Sequence, residues 1–438
     1  MESKILIIGA GPTGLGAAYR LQELRYKNWQ IFEKNNYVGG LSASFKDDKG
    51  FTWDVGGHVL FSHYEYFDRL LDKILGKDYL EHIRRAFIRI VDRWVPYPFQ
   101  NNIRYLPKDK IIQCLLGLFQ ARQRKSNPRN FKEWIYSVFG YGIAKYFMLP
   151  HNYKIWAHPL EKMSYGWIAE RVSVVDIKKI LGNIIFCRND TVWGPNSRFR
   201  FPLSGGTGEI FKRFIPYIRD NLFLKKEAIK IDIANKEVIF NDGDKRKYDI
   251  LINTMPLDEF IKRAGLVQFF EMIKELKHNG VFIVGLGIQK QCPSNKCWIY
   301  FPEDNCPFYR ITYFSNYSPN NTPEGNYYSL MCETAYSEHR PKDKEKIIED
   351  TIKGLINTGI LSEDDKKYIV SGYLIEAAYA YPVPTLNRDK ALEFIQPYLE
   401  QNGIYSCGRF GAWKYEIGNM DHCVMQGKEV VDKILGVK

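Results

Sequence analysis

No apolar run in the 438-residue sequence approaches the ~20 residues that a helix needs to cross a bilayer, and no basic-then-apolar leader separates Met1 from the first strand-like stretch. The expectation is an intracellular, cytoplasmic protein that is not embedded in a membrane. Eight cysteines are scattered without a CxxC pair, and Cys292, Cys297 and Cys306 have no histidine interleaved at zinc spacing. Reduced thiols are therefore expected, and a metal is not. Internal repeats and low-complexity linkers are also missing. Acid is the scarcer charge: 50 Asp and Glu against 62 Lys and Arg leave a formal charge of +12. Yet no helix carries a basic stripe, and the densest cluster, Arg122 to Arg129, contains Ser126-Asn127-Pro128, a turn signature. The surplus is read as attraction for an anionic small molecule, with neither nucleic acid nor membrane expected as a partner.

Hydrophobic residues make up 45% of the chain, enough for a large core and two or three domains. Twenty-nine tyrosines and nine tryptophans suit a site that stacks on bases and sugars, although core packing accounts for most of them.

The densest information lies in the first sixty residues. Ile5-Leu6-Ile7-Ile8 has the pattern of a strand buried on both faces, Gly9-Ala10-Gly11-Pro12-Thr13-Gly14 follows at once, and a helical pattern runs to about Arg25. In such a unit Gly9 permits a tight turn, Gly11 lets a diphosphate approach the backbone, and Gly14 lets helix and strand pack closely. A second strand, Trp29 to Phe32, ends in Glu33, where the acid that grips an adenosine ribose is expected. Glu33 is followed by Gly39-Gly40-Leu41. An acid and then a Gly-Gly doublet resembles the FAD-binding start of flavoproteins of the amine-oxidase and protoporphyrinogen-oxidase type, so FAD is the expected cofactor.

Further along, Gly56-Gly57-His58 offers a mobile loop with a polar ring at its tip, or a hairpin turn with a structural histidine. Residues 64–75 are predicted as an amphipathic helix and 83–94 as a strand, leading into Val95-Pro96-Tyr97-Pro98-Phe99-Gln100, a stiff extended segment. The pattern from 108 to 179 is helical, with turns near 126–128 and 150–152. Residues 228–240 and 248–254 read as strands of the nucleotide-binding sheet. Stretches 281–289, 297–301, 309–314 and 327–333 suggest an antiparallel sheet, followed by a helix over 343–358 and a strand near 369–376. The tail returns to the cofactor domain through Gly408-Arg409-Phe410-Gly411 and a helix capped by Gly418-Asn419-Met420-Asp421. The expected fold is α/β. It has a discontinuous Rossmann-like FAD-binding domain (1–84, 203–265 and 398–438), an inserted helical-bundle domain (105–190) and an antiparallel β-sheet substrate domain (85–104, 191–202 and 266–397).

Four longer strings carry a closer resemblance: Val55 to Tyr64, Trp94 to Asn102, Cys297 to Arg310 and Gly408 to Glu416. In order, and across essentially the whole chain, they resemble the eukaryotic type of UDP-galactopyranose mutase. That family implies an isomerase in which reduced FAD, through N5, attacks the anomeric carbon of UDP-galactopyranose without net oxidation, and the sugar recloses as the furanose. NADPH is the implied reductant. By the same resemblance Arg171 and Arg310 face the diphosphate, with Tyr317, Tyr381 and Tyr415 as donors to it. Tyr97 and Phe147 stack on uracil, Gln100, Asn152 and Trp156 stand nearby, and Asn196 lies close to the sugar. Gly57 and His58 lie beside the isoalloxazine and Arg409 at its side, while Gly418, Asn419 and Asp421 start a helix aimed at the flavin pyrimidine. The sequence departs from the family at His151, where many relatives carry an aromatic residue, at Ala378-Tyr379-Ala380, where a His-Gly pair is common, and at Ser164-Tyr165-Gly166. These departures leave room for another UDP-hexose as substrate. An amine oxidase or dehydrogenase is the alternative of a different class, disfavoured because an amine site calls for an aromatic cage and not paired arginines.

Overall fold

Alternate residues of the first strand serve two different cores, and that alternation sets the architecture. The computed structural model describes residues 2–123, 126–168 and 172–437. In β1 (Ile5–Ile8), Ile5 and Ile7 pack with Leu15, Ala18 and Val424 on one face, and Leu6 and Ile8 pack with Phe240, Phe260 and Ile395 on the other. A strand buried on both faces needs parallel neighbours with helices above and below. The sheet has the order β19 (Ile404–Ser406), β13 (Ile250–Asn253), β1, β2 (Trp29–Phe32), β9 (Leu222–Phe223), all parallel. The Pro12–Glu23 helix after β1 crosses the Met420–Leu435 helix so closely that a Cβ on Gly16 would meet the Val424 carbonyl at 2.5 Å, and one on Gly427 the Thr13 carbonyl at 2.2 Å. The last helix is thereby fixed against the first.

A seven-stranded sheet forms the second layer: β18 (Ile369–Pro382), β14 (His278–Ile288), β17 (Tyr328–Tyr336), β16 (Arg310–Tyr313), β15 (Trp298–Tyr300), β6 (Ala86–Ile90) and β7 (Arg93–Pro96). It is antiparallel except where β15 runs parallel to β6, so the expected antiparallel sheet is a mixed one. The parallel pair arises because residues 86–90 come from far earlier in the chain and join the edge of the later meander. A hairpin of β3 (Ser44–Lys46) and β4 (Thr52–Asp54) joins the two layers, with Phe51 and Trp53 over Gly287 and Gly285 of β14, where an added Cβ would lie 2.5 Å from each ring. Asp54 ties the hairpin to the next segment, accepting from the Thr207 hydroxyl at 2.6 Å, the Thr207 N–H at 3.1 Å, and Ser44.

Three further local readings are corrected. Residues 83–94 are not one strand: β5 (Tyr79–Ile83) pairs with β8 (Arg198–Pro202), while β6 and β7 form a hairpin turning at Val91 and Asp92, both at positive φ. Residues 228–240 leave the parallel sheet; β10 (Ala228–Asp232), β11 (Glu237–Phe240) and β12 (Lys245–Lys247) make a separate antiparallel sheet, turned by Asp232, which accepts from the Asn235 N–H at 2.9 Å. Pro150-His151-Asn152 is helix, not turn, because Pro150 sits in the first turn of the Leu149–Trp156 helix, where its missing N–H costs nothing. The Arg388–Gln401 helix, with Pro397 inside, has no counterpart in the sequence reading. Among the described residues the helical stretch consists chiefly of Lys108–Gln123, Phe131–Ile143, Leu149–Trp156 and Ile177–Ile185.

Candidate active site

At the end of β1 the turn closes as its glycines require. The Gly9 N–H donates to the Phe32 carbonyl at 2.7 Å with φ at 97°, and a Cβ on Gly14 would stand 1.9 Å from the Gly9 oxygen. Glu33, buried, accepts from the Ala10 N–H at 2.8 Å and from the Asn35 N–H at 2.9 Å. The Gly39 N–H donates to the Ala10 carbonyl at 2.8 Å, bringing the Gly39-Gly40 doublet onto the turn, with Leu41 next to it. Gly11, the residue preceding the Pro12–Glu23 helix, offers no side-chain cap, so the helix start is left to backbone donors and an incoming anion. These residues fit the diphosphate and adenosine end of a flavin dinucleotide.

A cavity of about 240 Å³ lies between the glycine loop at 56–58, the seven-stranded sheet and the start of the last helix. Of the residues expected at the site it is lined by Leu41, Gly57, His58, Asn196 and Arg310. Tyr381, Arg409, Tyr415, Asn419 and Asp421 complete that set from the other side. Its centre is Glu333, absent from the sequence expectations. Arg310 and Glu333 face each other across β16 and β17, and Arg310 Nε and Nη2 donate to the two carboxylate oxygens at 2.7 and 2.8 Å. The Tyr309 hydroxyl adds a bond at 2.8 Å and the Gly57 N–H another at 3.1 Å. Burial raises a carboxyl's pKa, but here Arg310 with the two further donors outweighs it and holds Glu333 below the ordinary range. Burial likewise opposes charge on Arg310, and Glu333 more than compensates. The result is a rigid cation beside a cavity, with its counter-charge tied to the glycine loop.

His58 has a buried Nδ1 without a partner among the described residues, and burial with the Arg409 charge depresses its pKa to about 4. Arg409 is held by the Gly418 carbonyl at 2.7 and 3.0 Å and by the Ala380 carbonyl at 3.3 Å. Asn419 precedes the last helix without a side-chain cap bond, and Asp421 in its first turn accepts from the His63 N–H at 3.1 Å and stands 2.7 Å from His63 Nδ1. Asp421 Oδ1, buried, has no partner among the described residues. Backbone donors at a helix start, a buried imidazole nitrogen and a buried carboxylate oxygen at one cavity fit a polar ring system such as the flavin pyrimidine. Among the described residues His63, Asp421 and His422 also bring ligand-type atoms within 4.8 Å of one another.

The remaining expected substrate residues that the structure describes stand outside the cavity lining. Tyr97 is half-buried, with the Arg84 guanidinium 4.9 Å from its ring centre and Tyr300 at 5.7 Å. Phe147 is 4% exposed, near-parallel to Phe99 at 4.7 Å and to His151 at 4.6 Å. Gln100 donates to the Ser173 carbonyl at 2.6 Å and Asn152 to the Met148 carbonyl at 2.7 Å, so each is engaged by its own surroundings. Trp156 packs edge-on against Tyr415 at 4.9 Å, joining the helical segment to the cavity wall. Tyr317 is buried among Phe199, Phe201 and Phe314. Arg171 lies outside the described residues. His151 has its pKa pushed down to about 3 by burial and the charge of Lys154, so its ring is neutral.

Sequence reasoning missed Glu333, Tyr309 and Arg84. Arg84 is 6% exposed, donates to Asn196 Oδ1 and to the Thr191 carbonyl at 2.8 Å, and positions Asn196. A lone acid inside the apolar strand Leu330-Met331-Cys332-Glu333-Thr334-Ala335 was the available signal for Glu333, since a buried charge implies a paired one.

The fold and this cavity define a flavoprotein: the chain belongs to the flavin-containing amine oxidoreductase family, whose profile matches residues 12–435. Within it the chain belongs with the UDP-galactopyranose mutases, being 43% identical to a UDP-galactopyranose mutase solved in its reduced state, at a TM-score of 0.97 over 100% of this chain and 95% of that one. A putative protoporphyrinogen oxidase from Exiguobacterium sp. 255-15 shares the fold at 16% identity and a TM-score of 0.74, covering 100% of both chains. A 4,4'-diapophytoene desaturase from Staphylococcus aureus is 40% identical over 153 residues, 34% of this chain. The match spans only 28% of the length of that curated relative.

Proposed function

We propose that this chain is an isomerase that interconverts UDP-galactopyranose and UDP-galactofuranose, with FAD in its reduced form and no net oxidation. The observation that carries the reading is the full-length similarity to a reduced UDP-galactopyranose mutase, at 43% identity. The cavity agrees with it, because groups suited to a diphosphate, Arg310, Tyr381 and Tyr415, face the flavin-end residues Gly57, His58 and Arg409. When bound, reduced flavin supplies a nucleophilic nitrogen that displaces UDP from the anomeric carbon and later returns the sugar.

The chain's own groups then have defined tasks. Arg310 and, by family resemblance, Arg171 stabilise the departing diphosphate, whose charge rises as the bond breaks. Tyr317 and Tyr381, whose pKa values burial raises, stay protonated and donate to phosphate oxygens together with Tyr415. Tyr97 stacks on uracil, with Phe147, Gln100, Asn152 and Trp156 framing the nucleoside and Asn196, set by Arg84, at the sugar. His58, neutral across the physiological range, shapes the cofactor pocket and does not shuttle protons. Burial of the cavity walls keeps water from the reacting carbon. NADPH as reductant, a cytoplasmic setting and the three-part domain division complete the proposal. Among the described residues, no helix is long and apolar enough to cross a membrane.

The test is to incubate the purified full chain with UDP-galactofuranose, with and without prior flavin reduction, and follow UDP-galactopyranose by chromatography. Conversion only after reduction, over many turnovers per reducing equivalent, is expected. Tight UDP binding by the reduced protein without conversion would refute galactose as the sugar, and steady hydrogen peroxide production on an amine would refute the isomerase.

A further inference from the structure

Two side chains with no task in the proposed reaction meet beside a second cleft. Lys154 extends from the Leu149–Trp156 helix and is 1% exposed. Its Nζ donates to the Glu303 carbonyl at 2.8 Å and the Cys306 carbonyl at 2.9 Å, and stands 3.4 Å from Cys306 Sγ. The partners of this buried amine are thus two carbonyls and a thiol. Cys306 is 5% exposed, yet it lines an open cleft of about 470 Å³ shared with Arg340 and Lys353. Cys306 thus touches both the cleft that it lines and the buried amine.

We infer that Lys154 and Cys306 form a redox-modifiable pair, which a hydroperoxide closes into a covalent sulfur–nitrogen bridge. In the first step the sulfur attacks the terminal peroxide oxygen, the O–O bond breaks, and the departing oxygen takes up the thiol's proton; the sulfur becomes a sulfenic acid and the peroxide is reduced to water or an alcohol. Lys154, in its unprotonated form, then attacks the sulfur with its nitrogen lone pair. The S–O bond breaks, hydroxide leaves with the amine's proton as water, and a sulfenamide remains. With hydrogen peroxide the sum is thiol plus amine plus peroxide giving sulfenamide plus two waters. Burial lowers the Lys154 pKa, which favours the unprotonated amine that the second step uses. Burial also raises the Cys306 thiol pKa, with Lys154 opposing. The bridge would fasten the helix that carries Asn152 and Trp156 to the segment entering β16 at Arg310, and so bears on the nucleoside site under the function proposed above.

The experiment is peptide mass mapping of the full chain before and after hydrogen peroxide. Expected after treatment is the Lys154 peptide joined to the Cys306 peptide, at their summed mass less two hydrogens, released by a thiol reductant. Cys306→Ser removes the joined species, and Lys154→Met removes it while letting Cys306 advance to sulfinic acid. The untreated and treated parent decide the matter without either variant. Sulfinic Cys306 with no joined peptide, or an unreacted Cys306 after the exposed Cys187 has oxidised, overturns the pair, and a joined peptide that retains an oxygen overturns the condensation step. None of these readouts depends on mutase activity.

Discussion

Replacing Glu333 by glutamine removes one charge from the centre of the candidate site and leaves the side chain's volume unchanged. The carboxylate receives four donors: Arg310 Nε at 2.7 Å, Arg310 Nη2 at 2.8 Å, the Tyr309 hydroxyl at 2.8 Å and the Gly57 N–H at 3.1 Å. Glutamine has a single acceptor oxygen and turns an NH2 group toward donors it cannot satisfy. Because Glu333 is 1% exposed, water does not replace what is lost, and breaking a buried ion pair on one side costs about 3–5 kcal/mol. Arg310→Met alone strands the carboxylate and costs a similar amount, whereas the double variant strands neither charge. The singles and the double therefore close a cycle with a coupling of about 2–3 kcal/mol. Denaturant midpoints of all four proteins, measured without flavin, separate this from cofactor binding. The pH dependence has a fixed sign: Glu333 is held below its ordinary pKa, so its contribution is full above the unfolded value of about 4.3 and fades as pH falls through the lower folded value. The gap between parent and Glu333→Gln thus narrows in acid. A Glu333→Gln cost under about 0.5 kcal/mol, or single costs that simply add, would refute the network.

Three other outcomes follow from the same geometry. Gly14→Ala places a Cβ 1.9 Å from the Gly9 oxygen, a backbone atom that cannot yield, so the variant should purify with little flavin absorbance and lose 1–3 kcal/mol or more by the order of magnitude for overpacking. Asp54, fully buried, has its pKa pushed from 3.8 to about 6 by burial, so the folded chain binds that proton more tightly than the unfolded one. Stability should fall as pH rises from about 4 to about 6, by on the order of 3 kcal/mol from this group, and Asp54→Asn should flatten that part of the curve in denaturation midpoints. His58, with its pKa lowered to about 4, should show no histidine titration by NMR between pH 5 and 8, and its neutral burial should cost stability only as pH drops below about 6.5, where the unfolded imidazole takes up a proton.

The parallel sheet and its glycine turn were legible because their signals are local: a four-residue apolar run, glycines at fixed offsets, and an acid at the end of the next strand. The corrected elements fail for a complementary reason. Residues 83–94 alternate well enough for one strand, but Val91 and Asp92 adopt positive φ, which neither residue type advertises. Pro150 signals a turn locally, and the helix behind it gives that proline a first-turn position instead. The site divides in the same way. Long strings singled out Arg310, Arg409 and Tyr415, while Glu333 and Arg84 owe their significance to partners 23 and 112 residues away, and no spacing in the chain reports a cross-strand register.

That register also makes the site a connected object. The Gly57 N–H on the glycine loop and Arg310 Nε both donate to Glu333 Oε1, so a shift of the loop changes the acceptor available to the arginine, and the reverse holds. Tyr309 extends the chain of contacts: its hydroxyl binds Glu333 at 2.8 Å and lies 3.4 Å from the Tyr381 hydroxyl, whose ring is 5.7 Å from the Arg409 guanidinium. A path of hydrogen bonds thus leaves the glycine loop, crosses β16 and β17 to Tyr381, and a cation–π contact carries it on to Arg409. A cofactor that displaces Gly57 alters the acceptors open to the cation assigned to the diphosphate, with no group moving through the bulk of the sheet. Coupling of this kind needs a carboxylate with no acceptor site to spare, and Glu333, with four donors on about four lone-pair sites, meets that condition.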